Sequence, residues 1–338
     1  MPNEPHVILS GFADEAATHK SAVEQFAAFA AVGLEYYSIR FIDVTGDGVV
    51  KNVMDLTKGE IGKLRGLEAE FGMNVASLGS PIGKVKLVDE EDGTKTPYVP
   101  FKKYLKNDVA KACDRAHAFE TKLIRGFSFY PPKGADPADY LSQAVDQLGQ
   151  IAEACHHSDL TFGLEVEANL VGQSGQLMAE LHRQVNHPAM VTIFDGGNLI
   201  SQGYNTLESY EQYLAMKPSL GWVHVKDYRN PGVKRTRHVD EEKLKHFVPV
   251  DQGDSGYDLV FRDLKKMLPK LDRKLRKRGI PGVVVDLEPH LKGGGQFGGF
   301  SGPDGFGVAL RSLCKMLDAV GVGYHLRDFD DVVAARGF

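Results

Sequence analysis

The feature that most constrains this chain is an alternation sustained over nearly all of its 338 residues: a short apolar run, then a segment with helical apolar spacing. The runs Val7–Phe12, Leu34–Ile39, Val75–Leu78, Leu123–Phe127, Leu160–Val166, Met190–Phe194, Leu220–Val225 and Val283–Leu287 are aliphatic or β-branched and of strand length. Between them, apolar residues three and four apart predict helices over about 18–32, 57–71, 101–119, 137–155, 175–185, 206–216, 257–278 and 303–320. Local punctuation agrees. Gly33 and Gly72 follow helical stretches, and Asp136 stands as N-cap before a first-turn proline, Pro137.

Continuous alternation implies a parallel sheet, because a parallel strand has to be re-entered from its far end through a crossover. Near-continuous apolar strands fit a sheet covered on both faces. An open doubly wound sheet and a closed barrel both satisfy this. About eight strand–helix pairs in one chain favour closure, so the expected fold is an α/β (β/α)8 barrel. With 42% hydrophobic residues and no linker or low-complexity tract, residues 1–338 are read as one domain, with 321–338 as a C-terminal appendage. Three connections are long: Ser80–Pro100, Tyr228–Gly256 and His290–Gly302, after strands 3, 7 and 8. In a barrel they crowd the C-terminal face, where active sites of this architecture lie. The glycine-rich run Lys292–Gly305 lacks the GxxxxGK[ST] phosphate-loop pattern and reads as a lid, with Phe297 or Phe300 shielding the mouth.

Charge and cysteine content exclude several classes. A net charge of -5 and a pI of about 6.2 give no basic footprint for nucleic acid. The one basic run, Lys234–His238, lies beside the acidic Asp240–Glu242 and reads as a solvated loop. Cys113, Cys155 and Cys314 have neither disulfide nor zinc-site spacing. No run approaches the roughly 20 apolar residues of a membrane span, and the polar start has no leader-like pattern. A cytoplasmic protein without nucleic-acid or membrane partners is expected.

The chemistry concentrates at strand ends. Four late strands finish as GLEVEAN, IFDGGN, GWVHVKD and VVDLEPH, which places Glu165 with Glu167, Asp195, His224 with Asp227, and Glu288 with His290 at equivalent positions. A buried carboxylate costs several kcal/mol unless paired or bound to a cation. Four such ends converging on one barrel mouth fit a divalent cation held by Glu165, Asp195, His224 and Glu288. Three carboxylates and an imidazole suit manganese, magnesium or cobalt, with zinc as a further option. Salt bridges to Lys226, Arg229 and Arg125 are the competing explanation. Glu165 and Glu167 share a strand face. Glu165, nearer the strand, is taken as the ligand, with Glu167 on the mouth as a substrate-facing group.

These strand ends, together with SGFADE (Ser10–Glu15), GSPIGK (Gly79–Lys84), DGGN (Asp195–Asn198), WVHVKD (Trp222–Asp227), PVDQGD (Pro249–Asp254) and LEPH (Leu287–His290), resemble the xylose-isomerase-like TIM barrels, specifically the sugar phosphate isomerase/epimerase family. The resemblance implies one divalent metal on Glu165, Asp195, His224 and Glu288, and a small-molecule carbohydrate substrate. It also implies enediolate chemistry with Glu165 and Glu288 as general base and acid. Glu167, Lys84, Lys226, Arg229, Asn198 and His290 are then substrate-binding candidates, with Arg40 a further basic group in reach. Asn198 stands where related three-zinc DNA-repair endonucleases have histidine, which argues against that branch. Homo-oligomers are expected of such barrels. The first reading is an isomerase or epimerase of a sugar or sugar derivative. A metal-dependent lyase or dehydratase on a keto-sugar or 3-keto-glycoside is the alternative, and a non-catalytic carbohydrate-binding barrel the third.

Overall fold

The computed structural model describes residues 5–292 and 300–336, with the side chains of 242 and 336 left aside. Strands β1 (Ile8–Gly11), β2 (Tyr36–Ile39), β3 (Asn74–Ile82), β4 (Leu123–Gly126), β5 (Thr161–Glu165), β6 (Met190–Asp195), β7 (Leu220–Val225) and β8 (Val284–Leu287) form one sheet in the order β1-β8-β7-β6-β5-β4-β3-β2. Every ladder in it is parallel. Between β1 and β2 there is a single bridge, Phe12 to Ser38, so the sheet curls into a nearly closed barrel. Helices α1 (Ala22–Ala31), α2 (Lys58–Phe71), α3 (Ala110–Ala118), α4 (Leu141–His157), α5 (Gly175–Val185), α6 (Thr206–Met216), α7 (Tyr257–Arg276) and α8 (Gly302–Val320) lie between and after the strands. This is the (β/α)8 barrel that the alternation predicts.

Local sequence accounts for the limits of these elements. Thr57 and Glu60 make a reciprocal capping box at the start of α2, and Gly72, at φ 65°, takes the left-handed conformation that ends it. The apolar stripes of the helices, among them Phe26, Phe29, Leu148, Ile151, Met178, Leu181, Phe261 and Leu264, are buried against the strands. Inside the barrel the Trp222 ring lies against Gly163 of β5, where an added Cβ would sit 2.0 Å from the indole. Only glycine leaves room for that ring.

Four boundaries differ from those read in the sequence. Strand β3 runs on to Ile82 through Gly79, Ser80 and Pro81, with a register shift between Leu78 and Ile82. Gly79 allows this because any side chain there would strike the Phe12 ring and the Ile39 carbonyl. Helix α1 starts at Ala22 with Ser21 as N-cap, because Ala13–Glu15 forms a 3-10 turn and Lys20 has φ 59°. Pro137–Tyr140 is a separate 3-10 turn before α4, and the stretch before α3 comprises Phe101–Tyr104 and a π-helical turn, Leu105–Val109. Two small antiparallel ladders, Phe41–Ile42 with Lys51–Asn52 and Asp227–Tyr228 with Phe247–Val248, brace the loops after β2 and β7.

After α8, Val322 is buried and Arg327 donates to the carbonyls of Leu34, Phe71 and Gly72, which fastens the appendage to the ends of α1 and α2. Phe297 lies outside the described residues. Phe300 sits beneath the Lys292 ammonium, 5.5 Å from ring to nitrogen, and is not among the residues lining the barrel mouth.

Candidate active site

A cavity of about 1180 Å³ opens at the C-terminal ends of the strands. Glu165, which ends β5, and Glu288, which follows β8 with its amide anchored on the Val225 carbonyl at 3.0 Å, line it, while Asp195 at the end of β6 and His224 on β7 lie fully buried beside them. Parallel register does the alignment, since Asp195 pairs with His224 and His224 with Asp286 across adjacent strands. One potential ligand atom from each of the four residues falls within 4.8 Å of the others, and all four are buried. His224 Nδ1 lies 3.3 Å from Glu165 Oε1 and 4.0 Å from Glu288 Oε2.

Fixed cations surround this cluster. Lys226 Nζ is 3.1 Å from both Asp195 Oδ2 and Glu288 Oε2. Arg125 reaches Glu165 at 3.3 Å. Arg40 bonds Glu288 and lies 3.2 Å from Asp14 and 3.5 Å from Glu15. The compensation is uneven. Burial opposes ionisation of Glu165, yet His224 and Arg125 hold its carboxyl down to about 2. At Asp195 burial dominates, and with Glu165 and Glu288 it pushes the carboxyl up to about 6 despite Lys226. Asp195 Oδ2 and His224 Nδ1 are buried and make no well-aligned hydrogen bond among the described residues, their polar neighbours being the Lys226 ammonium and the Glu165 carboxylate. Three carboxylates and one imidazole with ligand atoms this close together form a set that fits a divalent cation.

The remaining predicted residues fall into three groups. Lys226, Lys84, Glu167 and His290 line the cavity. Lys84 pairs with Glu167 and lies over the Phe127 ring at 4.4 Å, so Glu167 is drawn to the wall and stands outside the four-residue cluster. His290, at φ 52°, is held to Glu15 through both its amide and Nδ1. Asn198 is turned toward the protein instead of the cavity. Its amide donates to Asp195 Oδ1 at 3.1 Å, and Nδ2 to Glu165 Oε1 at 3.3 Å and the Val166 carbonyl at 3.0 Å. Arg229 does not reach the site. It is exposed, and its guanidinium is spent on the Gln252 carbonyl at 2.7 and 3.1 Å, fixing the loop after β7.

Sequence reasoning gave no role to Asp14, Glu15 or Asp286. Asp286 sits behind His224, 3.7 Å from Nε2, and accepts from Ser38 Oγ at 2.5 Å. Its signal was available: it stands two before Glu288, on the same face of β8. Trp222 Nε1 also points at His224 Nε2, at 3.3 Å. Asp14 and Glu15 follow β1 within SGFADE and are buried at 1% and 0% exposure, but no apolar run ends on them as it does at the later strands.

A family profile described as "Xylose isomerase-like TIM barrel" matches residues 26–316. No curated protein sequence matches the chain. Among solved structures, a xylose isomerase-like TIM barrel/4-hydroxyphenylpyruvate dioxygenase fusion protein is 16% identical with a TM-score of 0.61. That match takes in 93% of this chain but only 43% of the fusion protein's length. A xylose isomerase-like TIM barrel protein from Mycobacterium smegmatis, in complex with magnesium, is 15% identical with a TM-score of 0.61, over 94% of this chain and 97% of that one. D-allulose 3-epimerase from Methylomonas sp., in complex with D-allulose, is 15% identical with a TM-score of 0.54, over 99% of this chain and 96% of that one. At such identities the likeness is one of fold. The profile covers most of the sequence, and the chain belongs to the xylose isomerase-like TIM barrel family.

Proposed function

We propose that this protein is a divalent-metal-dependent isomerase or epimerase of a sugar or sugar derivative. The observation that carries the reading is the convergence of one ligand atom each from Glu165, Asp195, His224 and Glu288, all buried at the base of the cavity and within 4.8 Å of one another. A similarly folded protein crystallised with magnesium and another with D-allulose support it. These four residues would hold the ion, which when bound supplies Lewis-acid stabilisation of charge developing on a substrate oxygen.

The chain's own groups handle protons and orientation. Glu165 and Glu288 stand on strands separated by β6 and β7, so they approach a substrate from two sides. One removes a proton beside a carbonyl to give an enediolate, and the other returns it at carbon. Arg40 and Lys226 keep Glu288 well below the usual carboxylate range although burial opposes this, so it starts as a base. The Lys226 ammonium, next to Glu288, is placed to donate to a substrate hydroxyl. Asn198 and Asp286 orient Glu165 and His224.

The cavity volume favours a second reading in the same chemistry. About 1180 Å³ exceeds the upper end of common ligand pockets, roughly 1,000 Å³, and suits a glycoside better than a lone monosaccharide. An enolate formed beside its ketone would expel the aglycone. One experiment separates the two: incubation in deuterated water with ketoses and with 3-keto-glycosides. Deuterium in a rearranged sugar supports isomerisation, and release of the aglycone supports elimination. Neither outcome with the metal-loaded protein, or no divalent ion bound after reconstitution, would overturn both. Glu288→Gln should fold normally and lose at least about 100-fold in turnover; an unchanged rate would remove its acid/base role.

A further inference from the structure

Arg125 is a buried cation of this cavity with much of its hydrogen-bonding capacity unused. It lies on β4, is 6% exposed, and lines the cavity between the ring faces of Phe12 and Phe127, with centroids 5.0 and 4.7 Å away. Its one hydrogen bond to a described side chain is the 3.3 Å contact from Nη1 to Glu165 Oε2, and its Nε has no partner. The other buried cations nearby are more fully engaged, although Arg40 shares an unpartnered Nε. Arg40 is engaged by Glu288 and Asp14, Lys84 by Glu167, and Lys226 by Asp195 and Glu288.

A guanidinium offers five donors in a planar fork that matches a carboxylate. The two aromatic faces hold that plane in place, and burial raises the cost of leaving its donors unmet. A neutral sugar brings hydroxyls, which match one donor at a time. Glu165, the carboxylate that Arg125 bonds, also belongs to the four-residue cluster, so cation binding there would draw its charge away from Arg125 and leave the fork facing the cavity. Lys84, also over the Phe127 ring, lies on the same wall but is paired with Glu167.

We infer that the substrate carries a carboxylate, a keto-sugar acid or related hydroxy-keto acid, seated on Arg125 between Phe12 and Phe127. This rests on the reading of the cavity as a site for sugar-like substrates and names the class within it. Binding follows as a charge-assisted bidentate pair, with the hydroxy-ketone end directed to the four-residue cluster.

The test is titration calorimetry on the full chain, with and without manganese, using D-fructose, 2-keto-D-gluconate, D-fructuronate and D-fructose 6-phosphate. At least one sugar acid should bind roughly tenfold to a hundredfold tighter than fructose. Arg125→Lys, which keeps the charge beside Glu165 but removes the fork, should erase most of that preference, read as the ratio of acid to fructose affinity. Equal affinity for acids and fructose in the wild-type protein overturns the inference even where the variant does not fold. So does tightest binding of the phosphate ester, or an equal loss for acids and fructose in the variant. Failure of the metal-dependent reading is seen separately, as no manganese uptake. In that case the manganese-free arm still reports the acid preference, whereas fructose turnover without acid preference leaves the function standing and removes only this inference.

Discussion

At the scale of single residues, this barrel mouth is a problem in charge compensation. Carboxylates from β1, β5, β6 and β8 are buried together, and most obtain a fixed cation or an imidazole. Asp227, just past this cluster, is compensated by neutral donors instead: Ser255 Oγ at 2.6 Å, the Ser255 amide at 3.0 Å and the Tyr228 amide at 2.8 Å. Burial outweighs these and pushes its carboxyl up to about 7, whereas in the unfolded chain it titrates near 4. The native state therefore holds this proton more tightly, and Asp227 adds stability as pH falls from about 7 toward about 4, then levels off. Comparing the wild-type protein with Asp227→Asn by urea unfolding across that range isolates the effect. The difference should move in favour of wild type as pH falls, and a pH-independent difference would refute the assignment.

At the scale of elements, α2 shows how locally specified these units are. Its capping box satisfies amides at the N-terminus, and Gly72 closes the C-terminus. Thr57→Ala should cost about 1 kcal/mol, a fall of roughly 1–2 °C in Tm for a chain of this length, while substrate and metal binding stay unchanged. Such local encoding is why the sheet was legible. Each strand announced itself as an apolar run, and β5 to β8 ended on the polar residues that meet in the mouth. The end of β3 was not legible, because Gly79 and Pro81 signal a turn, and only the long-range approach of Phe12 and Ile39 makes a bulged strand of them. The two-residue ladders were too short to leave a periodic trace. Arg229 misled for a related reason: its neighbours His224 and Lys226 point into the barrel, but by residue 229 the chain has left the strand for a loop braced on Gln252. Asp14 and Glu15 sit in a turn after β1; Lys20 is near Asp14 in sequence, but Arg40 and His290 are far away, so no local pattern could join them to the mouth.

At the scale of the whole molecule, the site and the barrel share their stability. An ion held only by the native state at about 100 times its dissociation constant contributes about 2.7 kcal/mol. With an unfolding entropy of about 2.1 cal/mol/K per residue, that corresponds to about 4 °C in Tm. Chelation followed by a thermal scan should show a fall of about this size at neutral pH, reversed by adding back manganese or magnesium. An unchanged Tm at saturating ion would count against a site formed by folding. The single bridge between Phe12 and Ser38 gives this coupling a mechanical sense. The sheet is a split ring, with its cut between β1 and β2. Across that cut, besides the backbone bonds of Lys20 and Ala22 to Asp43, side chains form a clasp: Ser38 reaches Asp286, and Arg40 from beyond β2 grips Asp14 from beyond β1 and Glu288 from beyond β8. The side-chain bonds that keep the ring shut are thus the same bonds that set the charge of the mouth, so whatever loads Glu288 also pulls on the clasp.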